Sequence, residues 1–315
     1  MSILSRPYFH DEAAAFEHVE SVLWPDGPVC PHCGGMEKAY PLKGVRSKPS
    51  KKNPQGVERH GLYKCGHCRK QFTVRIGTIF EESHIPLHKW LQAIHLMCSS
   101  KKGISSNQLH RTLEITLKSA WFLSHRIREA MRTGDLDVPM GGAGKAVEVD
   151  ETFIGRKKGF HKRRGTSHKM AVLSLVQRGG SVRSFPINTT KVSEIGPIVN
   201  KNVARESWFI TDEAKQYVPI GKGFEYHFSV NHGEGQYVDG PIYTNTIEGF
   251  FSIFKRGMKG IYQHCSEKHL HRYLAEYDFR YNNRVSLEVD DCGRSNNALM
   301  GIVGKRLLYR DSLGA

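Results

Sequence analysis

Ala146-Val147-Glu148-Val149-Asp150-Glu151-Thr152-Phe153-Ile154 alternates side chains with a period near two, which reads as a β-strand over 146–154. Glu148 and Thr152 share a face with Asp150, and Glu151 points the other way. Trp208-Phe209-Ile210-Thr211-Asp212 is a second apolar run that ends on a carboxylate. A third acid, Glu248, lies in Thr244-Asn245-Thr246-Ile247-Glu248-Gly249-Phe250-Phe251, and Lys255 follows on the same side of a helix. Two carboxylates at strand ends and a third on a later helix can hold a pair of divalent cations. Such a pair clamps the attacking and leaving oxygens of a phosphodiester. Mg2+ prefers oxygen ligands and keeps waters, so one or two carboxylates per ion suffice.

Each acid has a plainer reading. Glu148 is the nearest decoy for the first ligand, being on the same strand face. Asn245-Thr-Ile-Glu248 matches a capping box, with Asn245 at the N-cap and Glu248 tying down a backbone N–H. A helix N-terminus also favours anions, so capping and phosphate binding are compatible. Lys255 could hold a DNA phosphate or be an ordinary surface lysine. Phe250, Phe251, Ile253 and Phe254 read as core.

Around this centre, residues 169–176 read as a second strand, and Gly179-Gly180 turns the chain into a third at 181–188. A helix is expected at about 193–204, a fourth strand at 206–211, and helices from Asn245 and over about 266–283. Between them lies an irregular stretch with Gly221, Gly223, Gly233, Gly235 and Gly240. Strand-strand-strand-helix-strand-helix is the order of a ribonuclease-H-like α/β domain with a mixed sheet, although pattern alone supports only a generic α/β domain.

Upstream, Cys30-Pro-His-Cys33 and Cys65-Gly-His-Cys68 place two thiolates on each of two knuckles, the donor set of a closed tetrahedral Zn2+ site. The basic loop Arg46-Ser-Lys-Pro-Ser-Lys-Lys-Asn-Pro-Gln-Gly56 lengthens the spacing between the pairs. It has no apolar period and is expected to be mobile. Asp11 can cap a helix carrying Ala13, Phe16, Val19 and Leu23. Pro86 starts another carrying Leu87, Leu91, Ile94 and Met97. Residues 102–131 resemble a helix-turn-helix. Ser105 or Ser106 caps the first helix and Thr116 the second, with Leu113-Glu114-Ile115-Thr116 as the turn. Cys98, Cys265 and Cys292 are isolated thiols.

The chain has 315 residues with 46 Lys plus Arg against 31 Asp plus Glu, a net charge of +15. That surplus favours a polyanion, DNA or RNA, or an acidic membrane surface. No run reaches the roughly 18 apolar residues of a membrane span. The N-terminus lacks the apolar stretch of a signal peptide, so a cytoplasmic, reducing setting is expected.

Together these segments resemble insertion-sequence transposases of the DDE type, in the bacterial zinc-ribbon family numbered fifteen ninety-five, the ISXO-two-like group. The likeness runs through both cysteine pairs, Gly77-Thr-Ile-Phe-Glu-Glu-Ser-His-Ile-Pro-Leu-His-Lys-Trp90 and Ala120-Trp-Phe-Leu-Ser-His-Arg-Ile-Arg-Glu-Ala-Met131. It continues in Val147–Arg156, Thr211-Asp212, Thr244–Phe251, His269-Leu-His-Arg-Tyr273 and Phe279-Arg-Tyr-Asn-Asn-Arg284. It implies that Asp150, Asp212 and Glu248 bind two Mg2+ or Mn2+ ions, with Lys255 as a basic partner and Asn245 as a secondary candidate. It also implies a structural Zn2+, binding to terminal inverted repeats and target DNA, strand cleavage and strand transfer. A homo-oligomer on DNA, association with the nucleoid and no membrane partner complete the expectation. Lys157, Lys158, Lys162, Arg163 and Arg164 would grip phosphates, unless they form only a solvated hairpin tip; Lys118 and Arg126 would contact DNA from the second helix of the pair. The expected divisions are an N-terminal helix at 1–28, a zinc ribbon at 29–80 and a helical region at 81–135. A ribonuclease-H-like domain at 145–285 and a tail at 286–315 follow. Two rivals remain: a DNA-binding regulator with a dead α/β domain, and a nuclease on the same fold without strand transfer.

Overall fold

The computed structural model describes residues 2–51, 53–132, 138–231, 233 and 238–307. The chain divides into two compact units. One comprises residues up to Ser99, Ser106–Met131 and the chain from Asp291; the other comprises Ser100–Ser105 and Arg132–Asp290.

In the first unit, α1 (Glu12–Leu23) begins where Asp11 accepts the Ala14 N–H at 2.7 Å, and it buries Ala15, Phe16 and Val19. Strands β1 (Ala39–Pro41), β2 (Tyr63–Cys65) and β3 (Gln71–Phe72) form a small antiparallel sheet. Trp24 meets Tyr63 and Phe72 edge-on, at 5.8 Å and 5.9 Å between ring centres, giving this sheet its own small core. The basic loop between β1 and β2 carries bonds of its own, and Lys52 within it lies outside the described residues. Arg46 bridges Glu58, and its guanidinium donates to the carbonyls of Gln55 at 2.9 Å and Gly56 at 3.0 Å. Backbone pairing closes this hairpin in place of the apolar contacts it lacks.

Glu12 caps α2 (Leu87–Ser99), accepting the N–H groups of Leu87 at 2.7 Å and His88 at 3.1 Å. Helices α3 (Ser106–Leu113) and α4 (Leu117–Ala130) form the expected pair, and the Thr116 hydroxyl oxygen accepts the Ser119 N–H at 3.1 Å to start α4. Glu114 holds the left-handed turn conformation at φ 52°, where a glycine would be unstrained.

In the second unit, β4 (Ala146–Ile154), β5 (Met170–Gln177) and β6 (Val182–Ile187) form an antiparallel meander. After α5 (Val192–Asn202), β7 (Trp208–Asp212) inserts parallel to β4. After α6 (Tyr217–Gly221), β8 (Tyr226–Val230) adds parallel to β7. The sheet order is β6-β5-β4-β7-β8. A short hairpin, β9 (Val238–Asp239) and β10 (Ile242–Tyr243), leads into α7 (Asn245–Gly257) and α8 (Leu270–Asn282).

One sheet face presents Val147, Val149, Leu173, Leu175 and Phe209 to a core completed by Ile195, Val199, Tyr217 and Ile220 of α5 and α6. The other presents Ile154, Val172 and Val176 to Ile247, Phe250 and Phe254 of α7 and Leu270, Leu274 and Tyr277 of α8. This is the ribonuclease-H-like arrangement expected from the order of elements. Strand β8 corrects the irregular stretch expected there. It is a five-residue edge strand, Tyr226-His-Phe-Ser-Val230, and the glycines on either side hide its period. The chain then returns to the first unit as α9 (Asp291–Met300), which meets α1, α2 and α4 and buries Ala298 and Leu299. The expected tail therefore contains a packed helix, too poor in apolar residues to show a clear period.

Candidate active site and zinc centre

The parallel pairing of β4 with β7 sets Val147 beside Phe209 and Glu148 beside Ile210. Continued by two residues, the same offset brings Asp150 level with Asp212, and the alternation of strand side chains turns both toward the face that α7 covers. Asp212 accepts the Ala214 N–H at 3.0 Å, and Asp150 accepts the Glu151 N–H at 2.6 Å. Glu248, on the first turn of α7, accepts the Thr244 hydroxyl at 3.1 Å.

Electrostatics joins the three acids. Burial first, then the charge of Asp212, raises the Asp150 carboxyl from an ordinary 3.8 to about 8; the charges of Glu151 and Glu248 add to this, against the Glu151 N–H bond. A carboxyl held neutral by burial and then by its acidic neighbours is a site where a divalent cation relieves repulsion, and an all-oxygen donor set fits Mg2+ or Mn2+. The three acids do not close around a single point. Among the described residues, the donor group whose atoms all lie within 4.8 Å of one another is the cysteine set.

The capping-box reading of Asn245 and Glu248 is corrected by the start of α7. Thr244 is the residue before the helix, Asn245 is its first residue, and Glu248 lies one position beyond the box. The Ile247 N–H is taken instead by Glu148, whose Oε2 accepts it at 2.9 Å from across the interface with β4. The other oxygen of Glu148 accepts the Arg178 Nε–H at 2.6 Å, and the Glu148 side chain is wholly buried. Its two oxygens are thus engaged, and the decoy is a structural carboxylate. Glu151 faces α6, where its carboxyl is raised chiefly by burial and lies 3.3 Å from the Gln216 amide nitrogen.

Lys255 is half-buried two turns along α7, its ammonium 5.9 Å from the centre of the Phe251 ring. Asn245 is exposed. In the loop from β4 to β5, Lys158, Lys162, Arg163 and Arg164 are exposed, and the Lys157 ammonium donates to the Asn188 carbonyl at 3.3 Å. Lys118 is exposed on the first turn of α4. Arg126 is corrected: it is 4% exposed, bonded to the Glu81 carbonyl at 2.6 Å and set between the rings of Trp90 and Phe122. Its guanidinium is part of the interior of the first unit and is not offered to DNA.

The four expected cysteines converge, with Cys30 Sγ 3.7 Å from Cys68 Sγ and Cys33 Sγ 3.6 Å from Cys65 Sγ. The backbone N–H of Cys68, with help from that of His67, draws the Cys65 thiol down to about 7, which favours the thiolate a metal needs. Four sulfurs at this spacing form a structural Zn2+ site with no position left for water.

Sequence reasoning missed Arg178 and the role of Glu148. The signal is a buried acid inside an apolar strand and an arginine just past the end of the neighbouring one, a relation visible only once the β4–β5 register is known.

Comparison with known proteins covers the domains that carry both centres. Residues 142–282 match the family model described as an ISXO2-like transposase domain, and residues 10–71 match a transposase zinc-ribbon domain. An uncharacterized protein in transposable element ISH50 of Halobacterium salinarum is 25% identical over 296 residues, covering 86% of this chain and 91% of that protein. Among the described residues no helix is long and apolar enough to cross a membrane. With ribbon and ISXO2-like domain in that order, the chain belongs to the ISXO2-like insertion-sequence transposases that carry an N-terminal zinc ribbon.

Proposed function

We propose that this transposase binds the terminal inverted repeats of its element, cuts DNA there and joins the freed ends to target DNA through a two-ion site built on Asp150, Asp212 and Glu248. The observation that carries the proposal is the Asp150 carboxyl, raised to about 8 by burial and then by the acidic groups around it. Two Mg2+ or Mn2+ ions, when bound, would stabilise charge on the attacking and leaving oxygens of an in-line displacement. Asp150, lying between the other two acids in charge coupling, would serve both ions, with Asp212 and Glu248 as outer ligands. An open arrangement of carboxylates leaves room for the phosphate and waters that complete each shell.

In the first step a water oxygen attacks the scissile phosphorus and the 3′ oxygen leaves, taking a proton from solvent. In the second, that 3′ hydroxyl attacks a target-strand phosphorus and displaces another 3′ oxygen, so no covalent link to the protein is needed. Lys255 and the exposed β4–β5 cations would hold flanking phosphates, and Lys118 with the α3–α4 pair and the ribbon would read the repeat. Because two ends must be joined, the working form would be a homo-oligomer on DNA.

Asp150→Asn, Asp212→Asn and Glu248→Gln are each expected to lower strand cleavage by at least about 1,000-fold while leaving binding of an end-containing duplex within a few fold of wild type. Gel assays of nicking and of mobility shift check both arms. Wild-type cleavage in all three variants would remove the metal-site reading.

A further inference from the structure

We propose that Glu148 and Arg178 form a positioning clamp that fixes the helix carrying Glu248 to the strand carrying Asp150, and thereby sets the affinity of the proposed metal site. The inference rests on the reading of the acidic trio just given.

Glu148 stands two residues before Asp150 on the same face of β4, and Ile247 immediately precedes Glu248 on α7. One carboxylate spans them: Glu148 Oε2 accepts the Ile247 N–H at 2.9 Å. Its other oxygen receives Arg178 Nε at 2.6 Å. Arg178 follows the end of β5, where its own N–H bonds the Ala146 carbonyl of β4 at 3.1 Å. Its remaining nitrogens reach the chain entering α7: Nη2 donates to the Tyr243 carbonyl at 2.6 Å and Nη1 to the Pro241 carbonyl. The guanidinium lies 3.5 Å from the centre of the Tyr243 ring.

Glu148 is wholly buried, so these partners take the place of water around its carboxylate. The planar fork of arginine is needed because three acceptors in two chain segments are met at once; a lysine ammonium cannot reproduce that geometry. The N-terminus of α7 adds favourable potential for the carboxylate. Two consequences follow for the neighbouring trio. The carboxylate of Glu148 is occupied and neutralised by Arg178, so it adds no ligand. Loosening the clamp frees the first turn of α7, and Glu248 moves with it.

The test separates positioning from ligation by altering the member that cannot bind a cation. Mn2+ affinity is measured by calorimetry on the zinc-loaded, full-length protein without DNA, for wild type, Arg178→Gln, Arg178→Lys, Glu148→Gln and Glu248→Gln. Zinc content and far-ultraviolet ellipticity establish that each is folded. Arg178→Gln and Glu148→Gln are expected to weaken Mn2+ binding by roughly 10-fold or more. A further variant combining Arg178→Gln with Glu148→Gln is expected to be no weaker than the poorer single one, because the pair acts as a unit. If Arg178→Gln fails to fold, Arg178→Lys takes its place, and the same loss is expected.

If the Arg178 variant binds Mn2+ as wild type does while Glu248→Gln loses it, the clamp is refuted and the acidic site survives. If Arg178→Gln binds more tightly while Glu148→Gln loses the ion, Glu148 is a ligand and the proposal is wrong. If wild type and Glu248→Gln bind Mn2+ alike, the acidic-site reading itself fails and takes the clamp with it.

Discussion

Asp150 carries a large electrostatic cost within the second unit. Its value in the folded chain is raised from 3.8 to about 8, so the folded state holds this proton more tightly than the unfolded chain does. Stability from that proton is present below pH 4 and is lost as pH rises toward 8. In metal-free protein, Asp150→Asn is therefore expected to raise the melting temperature at pH 8 relative to wild type and to flatten its fall between pH 4 and 8. Scanning calorimetry in the presence of chelator that spares the ribbon zinc checks this. At the same scale, Asp150, Asp212 and Glu248 were legible because each interrupts or ends an apolar run. Glu148 was legible only as an acid on the right face, and its partners come from segments 30 and 99 residues away. Arg126 shows the converse: helical spacing placed it on the expected reading helix, but the aromatic rings of Trp90 and Phe122 absorb its side chain.

Among the elements, β7 decides whether the acids meet. Phe209 is fully buried, stacked on Phe224 at 4.5 Å between ring centres, and the next strand residue on the opposite face leads to Asp212. Phe209→Ala is expected to cost roughly 3–5 kcal/mol, read by denaturant unfolding followed through a probe in the second unit. A loss below about 1 kcal/mol would mean that this core does not anchor the strand. The central strands were legible from their patterns, a nearly continuous apolar run in β5 and alternation in β4, which spans 146–154 as expected. The edge strand β8 was not, since one-sided burial and neighbouring glycines leave too weak a pattern in five residues. The start of α7 was misread for a different reason. Its first-turn N–H is taken by a side chain from another strand, which no local motif in residues 244–248 reports.

Across the whole molecule, the two candidate centres fall in different units: the four cysteine sulfurs in the ribbon and the acidic trio on the sheet and α7. The ribbon sheet has three short strands and a small aromatic core, so a metal is expected to supply much of its stability. Cys30→Ser combined with Cys33→Ser should abolish bound zinc, by atomic absorption, and speed amide exchange over residues 29–80, while β4, β5 and β7 stay protected. Full zinc content in that variant would contradict the four-sulfur site.

The most direct measurement replaces the leaving 3′ oxygen at the cleavage position of an end-containing duplex with sulfur, and compares nicking in Mg2+ and Mn2+. An ion on the leaving atom predicts that wild type loses cleavage of the sulfur substrate in Mg2+ and recovers it in the more thiophilic Mn2+, with no recovery in Asp150→Asn. Equal cleavage of the oxygen and sulfur substrates in Mg2+, or recovery in Asp150→Asn, would contradict a two-ion site held by residues 150, 212 and 248.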